Sequence, residues 1–339
     1  MATRDCAATG RRIACALAGL FVAFSIAGHA SIVAAQPVAR VPRIAFVAAA
    51  HASGVTGRVE AFRQGLKELG YVEGKTVIVE YRYADEKLDR LPELLAALAG
   101  QPVDVIVSAG PTVTRAARDV TKSIPIVMAF DADPVASGMV ASLARPGGNV
   151  TGLSTLAPQL AAKQLELLKS VVPALTRVTV LENSRELGNA EMMRVTRESA
   201  SRLGVQVDAF DLRQPADIEA GFRKASRAGA EVVLVLSSPL VFFHRARIAE
   251  VAASHRLPTI YPYAENVDSG GLMTYSVSLN DLFRRSATFV DRILRGRSPG
   301  ELPVEQPTKF DLLINLDAAK RIGLALPRDL VARADRLVE

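Results

Sequence analysis

The sequence predicts an α/β protein of two Rossmann-like lobes with parallel sheets. Three observations carry this: short continuous apolar runs alternate with amphipathic stretches, the alternation restarts after a break at 145–149, and the two arrays are of similar length. Residues 44–48 read as a strand, 57–69 as a helix ended by Gly70, 77–81 as a strand and 91–99 as a helix ended by Gly100. A strand at 103–107, a helix at 113–120 and a strand at 124–128 follow. Continuous apolar strands between amphipathic helices imply a parallel sheet covered on both faces. Arg145-Pro146-Gly147-Gly148-Asn149 is loop chemistry. After it come helix 160–171, strand 178–181, helix 190–203, strand 205–210, helix 218–228, strand 232–236, helix 241–254 and strand 259–261. The joining stretch 150–154 is strand-like and not a Gly/Ser tether, which predicts two lobes sharing connecting strands rather than two domains on a string.

The first 35 residues set the compartment. Arg4, Arg11 and Arg12 precede an apolar run at 13–27, and Val33-Ala34-Ala35 before Gln36 has the small residues of a cleavage site. This is the pattern of a cleaved secretory signal, so the mature chain is expected in the periplasm. A membrane anchor is the alternative, but Gly19, Ser25, Gly28 and His29 break the stretch, which is short beside the ~20 residues of a spanning helix. Arg11-Arg12 leaves general and twin-arginine export both open. Cys6 and Cys15 both fall in the segment to be removed, leaving no thiol for a disulfide, a nucleophile or a metal. Without residues 1–35 the chain has 38 Lys and Arg against 34 Asp and Glu, a formal charge of +4. With no basic run and few aromatics, that is not a nucleic-acid footprint.

Ligands of open parallel sheets bind beyond the carboxyl ends of the strands. The rule selects loops 49–53, 108–112, 130–134, 182–184, 237–239 and 261–265, most of them rich in Ser, Thr, Asn, Asp and Tyr. In Ser108-Ala109-Gly110-Pro111-Thr112 a buried strand gives way to a helix with Pro in its first turn. That arrangement suits an anion such as a carboxylate, or is simply a helix cap. Asp131 or Asp133 is expected to accept from a ligand ammonium or hydroxyl, or simply to cap the turn before Pro134, one of the two being structural. Asn183, Ser237, Ser238, Tyr261 and Glu265 are expected from the facing lobe, with Tyr275 near the crossover. Since no Arg falls in these loops, the helix N-terminus is expected to carry the ligand's acid.

Catalysis finds little support. His51, His244 and His255 have no metal-ligand spacing, and neither a G-x-S-x-G elbow nor a G-x-x-x-x-G-K phosphate loop occurs. The sequence therefore predicts a non-enzyme with no metal and no organic cofactor.

Several stretches form one set: Phe62-Arg63-Gln64-Gly65-Leu66 through Leu69-Gly70-Tyr71-Val72-Glu73-Gly74, Asp133-Pro134-Val135 to Leu143, and Arg145-Pro146-Gly147-Gly148-Asn149-Val150-Thr151-Gly152. Gly270-Gly271-Leu272-Met273-Thr274-Tyr275, Gln306-Pro307-Thr308-Lys309-Phe310 and Ile314-Asn315-Leu316 belong to the same set. Together they resemble one family of ABC transporter substrate-binding proteins, over essentially the whole mature chain. It implies a type I periplasmic-binding-protein fold, with three crossover strands and a ligand closed between two lobes. Some members are associated with tryptophan or other aromatic amino acids. The implied division is 36–154 with 271–305 for the first lobe and 155–270 with 306–339 for the second. The implied role is a monomeric receptor, without membrane insertion, delivering an amino acid or related carboxylate to an inner-membrane permease. A sensor subunit for a receptor kinase is the alternative. The chain departs from the family at Glu182-Asn183-Ser184-Arg185, where relatives often carry Asn-Pro-Asn, and at Gly110-Pro111-Thr112, a reordering of Gly-Thr-Pro.

Overall fold

The computed structural model describes residues 40–339, so the predicted signal segment lies outside the described residues. Strand β1 (Arg43–Ala48) organises the first lobe. Its alternate residues Ile44, Phe46 and Ala48 pack into one cluster with helix α1 (Thr56–Glu68). Ala45 and Val47 pack into another, with helices α2 (Leu91–Ala99) and α3 (Pro111–Val120). Side chains that alternate faces thus meet two different helix layers, which is why the run is apolar without a break. With β2 (Ile78–Tyr83), β3 (Val105–Ser108), β4 (Ile126–Asp131) and β5 (Val150–Ser154) the sheet has the order β2-β1-β3-β4-β5, all parallel.

From β5 the chain enters the second lobe through α4 (Ala157–Val171), β6 (Arg177–Glu182), α5 (Leu187–Leu203), β7 (Gln206–Asp211), α6 (Asp217–Arg227) and β8 (Val232–Val235). There follow α7 (Pro239–Phe243), α8 (Arg245–Ser254), β9 (Thr259–Tyr261), α9 (Ala264–Asp268) and β10 (Met273–Ser276). Helix α10 (Leu279–Leu294) then packs on the first lobe, where Phe283, Phe289 and Val290 join the cluster of Phe46 and Phe62. The chain returns as β11 (Asp311–Asn315), α11 (Leu316–Ile322), α12 (Arg328–Ala332) and β12 (Arg336–Val338), completing a seven-stranded sheet of order β12-β11-β10-β9-β8-β6-β7. Before that return, Glu305 pairs beside Leu153 on the edge of the first sheet. Three segments therefore cross between the lobes: after β5, after β10 and before β11.

Three expectations need correction. The second sheet is not wholly parallel, because β10 leads out toward the first lobe and β11 comes back beside it, antiparallel. The lobe boundary expected before Gly271 falls a strand too early, since Met273–Ser276 is hydrogen-bonded into the second sheet. The single helix expected over 241–254 is two, with His244 at φ −103°, ψ 23° between α7 and α8. No helix among the described residues is long and apolar enough to cross a membrane.

Candidate functional site

The carboxyl ends of β1, β3 and β4 face those of β8 and β9 across a cavity of about 110 Å³. On the same measure a single water needs only ~10–15 Å³. The first lobe contributes Ala48–Ala50, Ala109–Val113, Arg115 and Phe130–Ala132 to its wall, and the second contributes Glu186, Gly188, Asn189, Leu236–Pro239 and Tyr263 among others. Much of the wall is apolar and aromatic. Phe130 comes from the first lobe, and Phe242 and Tyr263 from the second, these two in edge-to-face contact with centroids 6.0 Å apart. Gly110 has to be glycine: it sits at φ +119°, and a Cβ there would lie 3.1 Å from the Phe130 ring.

Charge collects in two places. At the first, Asp131 is fully buried at the end of β4. Its Oδ1 accepts from the Asp133 amide at 3.0 Å and from Ser137 Oγ at 3.4 Å, while its Oδ2 has no hydrogen-bond partner among the described residues. Burial pushes this carboxyl up to about 7, against the pull of those two donors. Burial likewise raises Glu186, and the Arg115 charge acts the other way. Arg115 Nε and Asn189 Oδ1 are also buried and unpartnered. All four side chains belong to residues lining the one cavity.

At the second, Arg58 of α1 reaches across to the other lobe. Its Nη2 and Nε donate to Glu265 Oε1 at 2.7 and 3.2 Å, and its guanidinium lies 4.2 Å from the centre of the Phe242 ring. Burial alone would raise Glu265, yet the Arg58 guanidinium overrides it and holds the carboxyl below its ordinary range. The ion pair and the stacking contact both join the two lobes.

Of the residues expected at a site, Ala109, Gly110, Thr112, Asp131, Ser237 and Ser238 line the cavity. Ser238 Oγ also caps α7, accepting from the Val241 amide at 3.2 Å. The other six do not line it. Ser108 is buried one residue too early, its hydroxyl 2.7 Å from that of Thr114. Asp133 Oδ1 accepts from the amides of Val135 and Ala136 and so serves its own turn. Asn183 Oδ1 accepts from the Arg185 amide. Tyr261 is 1% exposed in the core of the second lobe, Tyr275 lies against Phe310, and Glu265 is engaged by Arg58. No Arg lies in the selected loops, as expected, but Arg58 and Arg115 reach the cavity wall from helices, so the helix N-terminus is not alone in offering positive charge. A signal was present for Arg115: it follows Thr112 by three residues, which places both on one helical face, and Asn189 follows Glu186 by the same interval. Among the described residues no group of three or more His, Cys, Asp or Glu is placed to hold a metal.

Residues 43–338 match the family model described as ABC transporter substrate binding protein. A tyrosine-binding protein of Clostridioides difficile (strain R20291) is 24% identical over 266 residues, covering 78% of this chain and 76% of that one. A conserved domain protein of Vibrio cholerae O1 biovar El Tor has a similar structure, with a TM-score of 0.83 at 26% identity, over 88% of this chain and 100% of that one. So does an ABC domain from Streptococcus pneumonia in complex with L-Trp, with a TM-score of 0.81 at 20% identity, over 88% and 99% of the two chains.

Proposed function

We propose, from the premise that this chain belongs to the ABC transporter substrate binding protein family, that the solute it captures is a free amino acid with an aromatic side chain. The observation that carries this is the composition of the cavity wall. Phe130, Phe242 and Tyr263 supply apolar faces from both lobes, and Asp131, Glu186 and Arg115 supply charge of both signs in the same enclosure. An aromatic ring buries roughly 150–250 Å² against such a wall. A zwitterion needs both signs of charge within reach. The tyrosine and L-Trp named for two similar proteins have this chemistry.

The ligand's carboxylate would meet the start of α3 at Gly110–Thr112, where a helix N-terminus favours an anion, with Arg115 one turn further along the same face. Binding is reversible capture without turnover. The closed shape is what a membrane permease would read, and the family's description as a transporter component favours that partner over a receptor kinase. Delivery to a permease requires export, so the mature protein should begin at Gln36, and N-terminal sequencing of periplasmic protein checks this.

A thermal-shift and calorimetric screen over the amino acids, with sugars, nucleosides and plain carboxylates as controls, tests the ligand class. Tyrosine, tryptophan or phenylalanine should stabilise the protein, by about 2.7 kcal/mol at a hundredfold excess over Kd. Stabilisation by a sugar or nucleoside and by no aromatic amino acid would overturn the reading.

A further inference from the structure

The polar end of the cavity is assembled from both lobes and left incomplete. Asp131 ends strand β4 of the first lobe, and Asn189 lies in the first turn of α5 in the second. Asp131 is 0% and Asn189 1% exposed, and each keeps one oxygen acceptor, Oδ2 and Oδ1, without a partner among the described residues. The remaining polar atoms are occupied: Asp131 Oδ1 as described above, and Asn189 Nδ2 in a bond to the Asn183 carbonyl at 3.2 Å. The lobes meet at this point, since a Cβ on Gly188 would lie 3.0 Å from Ala132 Cβ, and these two residues adjoin Asn189 and Asp131.

Two buried, unpaired acceptors on residues that line one enclosure call for a group with several donors and no acceptor, since a buried acceptor left unpaired forfeits its hydration without return. Arg115 does not meet the need, as it makes no hydrogen bond to either residue and its own Nε is unpaired. A primary ammonium does, with three donors and a charge opposite to that of an ionised Asp131. The other charged side chains of this end are Arg115 on α3 and Glu186 before α5, with Asp133 on the Asp131 loop.

We infer that the ligand's primary ammonium bridges Asp131 of the first lobe and Asn189 of the second, and that this bridge, more than the burial of the ring, holds the lobes closed on the ligand. The inference rests on the amino-acid reading above and adds to it the group that triggers closure. A ligand without an amine would still stack on the aromatic wall but would leave the second lobe's acceptor empty.

The test compares L-tyrosine, tyramine and 3-(4-hydroxyphenyl)propanoate on the mature protein, with calorimetry for affinity and small-angle scattering for compaction. Tyrosine and tyramine should compact the protein, and the deaminated acid should bind at least ~100-fold more weakly than tyrosine without compacting it. Asn189→Ala and Asp131→Asn should each weaken tyrosine about tenfold or more, as expected for a hydrogen bond to a charged group, and leave the deaminated acid nearly unaffected. Gly188→Val, whose side chain would meet Ala132, should prevent compaction by any ligand. Compaction by the deaminated acid equal to that by tyrosine, or equal losses for both ligands in Asn189→Ala, would overturn the ammonium bridge and leave the amino-acid reading standing. Closure by a non-aromatic amine with no response to tyrosine or tryptophan would do the reverse.

Discussion

Two charged clusters, one part-buried and one with fully buried members, lie in the same cleft and are built on opposite plans. Arg58 and Glu265 are paired with each other across the lobes, and the guanidinium is further covered by Phe242. Asp131, Arg115 and Asn189 each keep a buried polar atom unpaired. A buried ion pair that is satisfied within the protein leaves little for a ligand to gain there, whereas an unpaired group in a cavity is stabilised only by what enters. The first cluster reads as a contact of the closed form, and the second as the receiving end. Proximity to the cavity does not separate them, because both lie in its wall or beside it. Hydrogen-bond satisfaction does.

The comparison breaks most readily at Arg58. Arg58→Ala strands Glu265 and bares Phe242, and because Glu265 is about a third exposed the loss is smaller than for a fully buried pair. The closed form should lose about 2 kcal/mol, seen as a faster ligand off-rate and a larger radius of gyration with ligand bound. A closed, slowly dissociating variant would show that this cluster is no latch.

A pH titration sharpens the contrast next. Asp131 has its folded pKa raised to about 7 from an ordinary 3.8, so the native state holds this proton more tightly than the unfolded chain. Its contribution to stability without ligand should therefore be fully present below about pH 3.8, decline by at most about 1.4 kcal/mol per pH unit above that, and level off beyond about pH 7. Affinity for an amine should rise over the same range, since the ionised carboxyl is the receptive form. Asp131→Asn should flatten both profiles, and unchanged profiles would place the titration elsewhere. Glu265, held by Arg58 below its ordinary 4.5, should contribute only at the acid end and with the opposite sign, and nothing as pH approaches 7.

The smaller effects concern the two helix starts. Thr112→Ala should weaken a carboxylate ligand by about 0.5–1.5 kcal/mol without unfolding the protein, and the ligand's ester should be insensitive to that change. Ser238→Ala removes the cap of α7 and should cost about 0.5–2 kcal/mol of stability, read in denaturant melts. If Ser238→Ala changed affinity and left stability alone, Ser238 would belong to the receiving end instead.

Much of this molecule was legible along the chain because the information is local. Continuous apolar strands such as Ile44–Ala48 and Val232–Val235 can form only where both faces are covered, and a covered parallel sheet puts its sites beyond the strand ends. That geometry is enough to place Gly110, Thr112, Asp131 and Ser237 at a cleft, since each lies at the end of a strand or at the start of the next helix. Facing and pairing are not local. Asp131 is buried as the last residue of β4 while Asp133, two residues on, serves its own turn, and Tyr261 went to the core because its strand is central in the second sheet. Arg58 lies 207 positions from Glu265, so no spacing rule could join them. Sequence determined the alternating elements, the two lobes and the loops that could hold a ligand. Tertiary structure alone decided which polar atoms found partners across the cleft and which were left for a ligand, because hydrogen-bond satisfaction is a property of surfaces brought together by folding.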